Sequence, residues 1–322
     1  MQTRHLGLNG PAVSPICLGG NVYGWTLSEA DSHRQLDRAV DSGLTFIDTA
    51  DMYSRWVPGH RGGESETIIG NWLARSGRRK DVFLATKVGF DMGDEKEGKK
   101  GLRPAWISQA VEDSLRRLQT DYIDLYQAHT DDEPTPLEET LGAFDKLVRE
   151  GKVRHIGASN YTGKRLAQAL ETSRRNNLAA YISIQPHYNL LERQPFESDL
   201  LPAVEKYQLG VIPYFSLAAG FLTGKYRRGT DTSKSARGGM VKKYFNDRGF
   251  AIVDTLAEIA GEHQATPAQV ALAWMLAQPG VTAPIASATS DEHLDDLVAA
   301  TSLELDTASI HRLNDVSAAV AA

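Results

Sequence analysis

Eight short runs of β-branched and apolar residues, at 16–18, 45–48, 82–87, 123–128, 153–158, 182–185, 211–214 and 283–286, alternate with longer stretches of helical period. Strand, helix, strand is the rhythm of parallel pairing, because a crossover helix returns the chain to the edge where the next strand begins. The runs are apolar along their length, as strands buried on both faces require. The segments between them are amphipathic: one begins near Pro104 and carries Ile107, Val111, Ser114, Leu115 and Leu118 on one stripe, and another carries Leu137, Leu141, Phe144 and Val148. A first helix is read over 29–42. Eight such units with short connections predict an α/β fold of the (β/α)8 TIM-barrel type, with an open doubly wound sheet as the alternative.

Three segments fall outside the repeat. The N-terminal "RHLGLNGPAVSPI" reads as a β-hairpin plugging the barrel bottom, 220–244 as a long loop, and about 306–317 as an extra C-terminal helix. Without a linker-like or low-complexity stretch, residues 1–322 read as one domain.

Charge and cysteine content narrow the class. A net charge of −6, spread along the chain, invites neither nucleic acid nor an anionic membrane. Cys17 is the sole cysteine, so an intramolecular disulfide or a cysteine-clustered metal site is out of reach. The N-terminus lacks the apolar core of a signal peptide, and the longest apolar run, 270–277, falls far short of the roughly 20 residues that span a bilayer. The expectation is a soluble, unprocessed, cytoplasmic protein that binds no metal.

In a parallel barrel the chemistry lies where strands end. The second run stops at Asp48 with Tyr53 beyond it in "FIDTADMYS", the third stops at Lys87, and the fourth is followed by His129. Each residue has a plain alternative: a helix cap for Asp48, rim positions for Tyr53 and Lys87, a backbone-bonded imidazole for His129. Together they say more. A lysine in a partly apolar mouth needs a carboxylate partner, which Asp48 supplies, and a cation beside a phenol favours the phenolate, drawing its pKa from about 10 toward working pH. A proton donor over a pocket, with an imidazole to hold a carbonyl oxygen, points to carbonyl reduction by a bound hydride source.

Read in order, "LGGNVYGW", "FIDTADMY", "GGESETIIGNWL", "FLATKVG", "DYIDLYQAH", "GKVRHIGASNY", "SIQPHYNLL", "VIPYFSLAAGFLTGKY" and "PIASATSDEHLDDL" resemble the aldo-keto reductase superfamily over nearly the whole chain. The resemblance implies a catalytic tetrad of Asp48, Tyr53, Lys87 and His129, in which Tyr53 protonates the carbonyl oxygen of an aldehyde or ketone, Lys87 and Asp48 lower its pKa, and His129 orients the oxygen. It implies NADP as cofactor, NADPH preferred. Ser159, Asn160 and Gln185 would hold the nicotinamide amide, and Tyr214 would stack on the ring. Ser216, Leu217, Gly220 and Lys225 would line the pyrophosphate, with Gly20 and Asn21 also in contact. Ser287, Thr289, His293 and Asp296 would surround the adenosine phosphate end.

The segment "SATSDEHLDDL" departs from the family pattern at Ser287, His293 and Leu297, and "ATSDEHLDD" holds no cation for a 2′-phosphate. Arg237, in the long loop, is the candidate for that contact. Tyr23, Trp25, Trp56 and Phe90 are read as lining a substrate pocket. A G-x-G-x-x-G is absent, "GDEKEGKK" from Gly93 reads as a solvated loop, "NYT" at 160–162 as an unused sequon, and "TDDEP" after His129 as a rim segment. Two other functions compete: a Schiff-base lyase using Lys87, and a nicotinamide-nucleotide-sensing partner subunit, since the superfamily includes potassium-channel beta subunits.

Overall fold

The computed structural model describes residues 1–93, 98–233 and 235–318. The N-terminal hairpin pairs β1 (Arg4–His5) with β2 (Ala12–Val13) antiparallel. The barrel strands follow as β3 (Cys17–Gly19), β4 (Phe46–Asp48), β5 (Phe83–Val88), β6 (Ile123–Ala128), β7 (Val153–Ser159), β8 (Tyr181–Gln185), β9 (Gly210–Val211) and β10 (Ile285–Ala286). They form one parallel sheet in the order β10-β3-β4-β5-β6-β7-β8-β9. Backbone bonds close the ring: Thr282 N–H donates to the Val211 carbonyl at 2.8 Å and Ile285 N–H to the Pro213 carbonyl at 2.8 Å.

Helices α1 (Glu29–Asp41), α2 (Glu64–Ser76), α3 (Pro104–Leu118), α4 (Leu137–Arg149), α5 (Gly163–Asn176), α6 (Leu201–Tyr207), α7 (Gly238–Val241), α8 (Asp247–Glu262), α9 (Pro267–Leu276), α10 (Asp291–Ala300) and α11 (Thr307–Ser317) complete the chain. The stripe foreseen on α3 is buried in full. Its start is set by Pro104, whose missing N–H is harmless in the first turn. Asp306, expected inside the last helix, instead caps α11 by accepting from Ser309 N–H. The described residues contain no helix long and apolar enough to cross a membrane.

The last two barrel strands are shorter than the sequence suggests because prolines interrupt them. Pro213 and Pro284 have no N–H to donate to the ladder, so they contribute carbonyls alone, to Ile285 and Cys17. Inside the ring Cys17, Phe46, Ala85, Leu125, Ile212 and Ala283 share one apolar cluster with Leu6 and Val13 of the hairpin. The hairpin thus stoppers the end opposite the carboxyl ends of the strands, as foreseen. Residues 94–97 of the "GDEKEGKK" loop and residue 234 of the 220–244 segment lie outside the described residues.

A buried staple fastens the amino-terminal end of β6. The Asp124 carboxylate accepts from Arg79 Nη2 at 2.7 Å, Arg154 Nη1 at 3.2 Å and the Leu84 N–H at 3.0 Å. The two guanidiniums lie 3.9 and 3.8 Å from the Tyr122 ring centre. Replacing Asp124 with alanine leaves the buried Leu84 N–H without an acceptor and takes the carboxylate from between two guanidiniums, and is expected to lower stability by about 2–3 kcal/mol. Urea unfolding at unchanged m-value checks this.

Candidate active site

Register and alternation decide which side chains reach the mouth. Gly19 is paired with Asp48, Lys87 with Gln127, Gln127 with Gly157, and Ser159 with Gln185. Side chains two residues apart on a strand share a face, so Asp48, Lys87, Gln127, Ser159 and Gln185 form a polar layer one step above the apolar interior of Phe46, Ala85 and Leu125.

The centre of that layer is Lys87, fully buried. Its ammonium donates to Asp48 Oδ2 at 2.5 Å, to the Thr49 carbonyl at 2.8 Å and to the Tyr53 hydroxyl at 3.1 Å. Three donors meet three acceptors. Burial alone would depress the ammonium, but Asp48 and Tyr53 beside it outweigh that and hold the Lys87 pKa above its ordinary value. Asp48 Oδ1 accepts from Gln127 and Gln185, both at 3.1 Å, and Gln185 also donates to Gln127 at 3.2 Å. Sequence reasoning missed Gln127. Alternation in "IDLYQAH" would have found it, since Leu125, Gln127 and His129 fall at every second position.

Tyr53 stands in the loop after β4. Its N–H closes a turn on the Ala50 carbonyl at 3.2 Å, and Ser54 follows at a left-handed φ of 71°, pinned by its Oγ donating to the Tyr23 carbonyl at 2.8 Å. The expected fall in its pKa does not occur in this arrangement. Burial raises the phenol above its ordinary value, and the opposing pull of Lys87 offsets this only in part, with Asp48 adding to the rise. Tyr53 is therefore a protonated phenol at neutral pH, in the state required of a proton donor.

His129 lies at the end of β6, its ring 6.0 Å from that of Tyr53 and 4.3 Å from Phe90. Burial, reinforced by the Lys87 cation, holds its pKa well below the ordinary value, so the imidazole is neutral. The mouth beyond is aromatic: Trp56 packs edge-on against Trp25 at 5.7 Å and near Tyr53 at 5.9 Å. Tyr23 does not belong to it. Its side chain is buried in the core and its hydroxyl donates to Gln35 at 3.2 Å, because its place behind the first turn points it outward toward α1.

Beside these residues, Asn160 Nδ2 donates to the His129 carbonyl at 2.9 Å and its Oδ1 accepts from the Tyr214 hydroxyl at 2.8 Å. Ser159 Oγ donates to the Gln185 carbonyl, and Ser216 Oγ to the Pro213 carbonyl. Gly220 sits at φ 93°, with Lys225 Nζ 3.1 Å from where a β-carbon would stand; Leu217, half-buried, precedes that turn. Near β10, Ser287 donates to Asn21 Oδ1 at 2.6 Å, Gly20 receives Ser65 Oγ at 2.7 Å, and Thr289 is bonded to His293 at 3.1 Å.

One of the residues expected at the adenosine end, Asp296, has its carboxylate engaged elsewhere. Asp296 Oδ1 is engaged by Thr266 and Gln269 at the N-terminus of α9, at 3.0 and 2.7 Å, and so serves helix packing, while Leu297 is core. Arg38, unforeseen from sequence, reaches α10 but is neutralised there by Asp291 and Asp295 at 3.0 and 2.5 Å. Arg237 lies 5.3 Å from the Trp25 ring, with Nη2 buried and unpartnered. Its segment follows β9 and meets the loop after β3 through the Trp25 ring. In "TDDEP", Asp131 pairs with Arg165 at 2.9 Å, and Asp132 accepts from Leu102 N–H at 2.7 Å, so both carboxylates are engaged in packing.

The sequence profile of the aldo/keto reductase family matches residues 15–318. The chain belongs to that family. Aldo/keto reductases use a nicotinamide cofactor, and similar proteins extend over almost the same length. The uncharacterized oxidoreductase YrpG of Bacillus subtilis (strain 168) is 38% identical, covering 98% of this chain and 96% of its own. A putative voltage-gated potassium channel subunit beta of Schizosaccharomyces pombe is 33% identical over 92% of this chain and 87% of its own. The aldo-keto reductase yakc [NADP(+)] of the same yeast is 31% identical over 98% and 91%.

Proposed function

We propose that this aldo/keto reductase reduces aldehydes or ketones to alcohols with NADPH, using Tyr53 as general acid. The observation that carries the reading is the three-way bonding of Lys87. Because the Tyr53 oxygen accepts from Lys87, its own hydrogen is left to donate into the mouth, and the adjoining ammonium stabilises the phenolate formed when that hydrogen leaves. The neutral His129 imidazole holds the carbonyl oxygen against Tyr53 without competing for its proton. Asp48 keeps Lys87 charged through the cycle, and Gln127 and Gln185 keep Asp48 in place.

The residues present fit a nicotinamide dinucleotide. Tyr214 offers a half-buried ring, Lys225 an ammonium over the Gly220 turn, and Arg237 a buried donor without a partner. When bound, the nicotinamide supplies the hydride. Ser159, Asn160 and Gln185 would hold its amide, Ser216, Leu217, Gly220 and Lys225 would line the pyrophosphate, and Gly20, Asn21, Ser287, Thr289 and His293 would serve the dinucleotide on the β10 side. Tyr53 gives its proton to the carbonyl oxygen as the carbon is reduced, and in the reverse direction takes one from an alcohol.

Arg237 is the residue assigned to the 2′-phosphate. Arg237→Ala is expected to raise the Kd for NADPH about ten- to hundredfold and to leave that for NADH unchanged, measured by nucleotide fluorescence titration. Equal loss for both nucleotides would remove that assignment. The charge state of Lys87 weighs against a Schiff-base lyase, which needs a neutral amine. The aromatic mouth of Trp25, Trp56 and Phe90 favours aromatic carbonyls. A cytoplasmic location suits the same reading.

A further inference from the structure

Tyr214 lies just beyond β9, in an isolated bridge rather than a strand, yet its ring is fixed. At its edge the hydroxyl is bonded to Asn160. Across one face lies the His187 imidazole, 5.3 Å away between ring centres and 15° from parallel. The backbone enforces this pairing: residues 187 and 214 form a parallel bridge, and Tyr214 N–H donates to the Pro186 carbonyl at 2.9 Å.

The next residue clamps the stack. Phe215 has a φ of 55°, a left-handed conformation that bulky residues seldom adopt, and its carbonyl is held by Asn189 Nδ2 at 3.0 Å. Its ring meets His187 edge-on at 5.4 Å. His187 is thus wedged between Tyr214 and Phe215, and the Tyr214 ring is left half-buried.

We propose that His187 is a positioning residue for the nicotinamide: a back plate that fixes the plane of Tyr214 and completes a three-layer stack of imidazole, phenol and nicotinamide. This rests on the nicotinamide reading of the site and adds a residue to it. A tyrosine in a loop would otherwise rotate about its side-chain bonds, and a ligand stacking on it would have to immobilise it; a ring already stacked spares that cost. Burial holds the imidazole below its ordinary pKa, so the plate is an uncharged aromatic ring. Its charged neighbours Glu192 and Lys243 are paired with each other at 2.6 Å.

Calorimetric binding of NADPH and of 2′-phospho-ADP-ribose, which lacks the nicotinamide, tests this in the wild type, His187→Leu and His187→Phe. His187→Leu is expected to weaken NADPH about three- to tenfold and leave the fragment unaffected, while His187→Phe restores NADPH binding. Equal weakening of both ligands would make His187 a fold residue only, and unchanged NADPH affinity in His187→Leu would make the plate idle; either overturns the inference. A wild-type chain that binds neither NADPH nor NADH overturns both this inference and the function on which it rests, which separates the two failures.

Discussion

Tyr53→Phe is expected to lower kcat by about 10²–10⁴-fold while NADPH affinity stays within about twofold. The substitution removes one oxygen, the atom that accepts from Lys87 and donates into the mouth. The ring, its packing near Trp56 and the turn carrying it remain. Loss of turnover without loss of binding identifies a group used in the transition state and not in the ground state. Stopped-flow nucleotide titration beside steady-state kinetics reads both quantities. Near-normal turnover would show that another donor protonates the substrate.

Asp48→Asn is expected to abolish turnover and to destabilise the protein by about 3–5 kcal/mol, since it leaves the buried Lys87 ammonium without a counter-charge. The double replacement Asp48→Leu with Lys87→Met should recover part of that stability and none of the activity, because it removes the unpaired charge but leaves the Gln127 and Gln185 amides without their acceptor. Urea midpoints at constant m-value make the comparison. The sign with pH follows from the raised pKa of Lys87: the lysine's contribution to stability is fully present below about 10.4 and is lost as pH rises through the folded-state value. An Asp48→Asn protein as stable as the wild type would show that water reaches the ammonium.

The barrel was legible because eight apolar runs and their amphipathic partners repeat a single physical demand, burial on both faces of a parallel sheet. Strand ends were less so: Pro213 and Pro284 shorten the last two, an effect of missing donors rather than of hydropathy. Asp48, Lys87, Tyr53 and His129 could be picked out because each stands at or beyond a strand end. Gln127 escaped attention as an uncharged residue within a strand, though it holds Asp48. Tyr23 was read as pocket and is core, since sequence position near a mouth does not give the direction of a side chain. Arg38 meets α10 from more than 250 residues away in the chain, and no local pattern reports such a pairing. The pKa of Tyr53 needed burial as well as charge, and burial is a property of the packed molecule.

Single-turnover reduction tests the central claim most directly. The NADPH-loaded protein is mixed with an aromatic aldehyde and absorbance at the reduced-nicotinamide band is followed, for the wild type and Tyr53→Phe in parallel. The expected result is a decay in the wild type that slows by at least about 10²-fold in the variant at equal nucleotide occupancy. Nucleotide bound with no decay in the wild type would contradict carbonyl reduction and leave this chain a nucleotide-binding relative of the channel beta subunits.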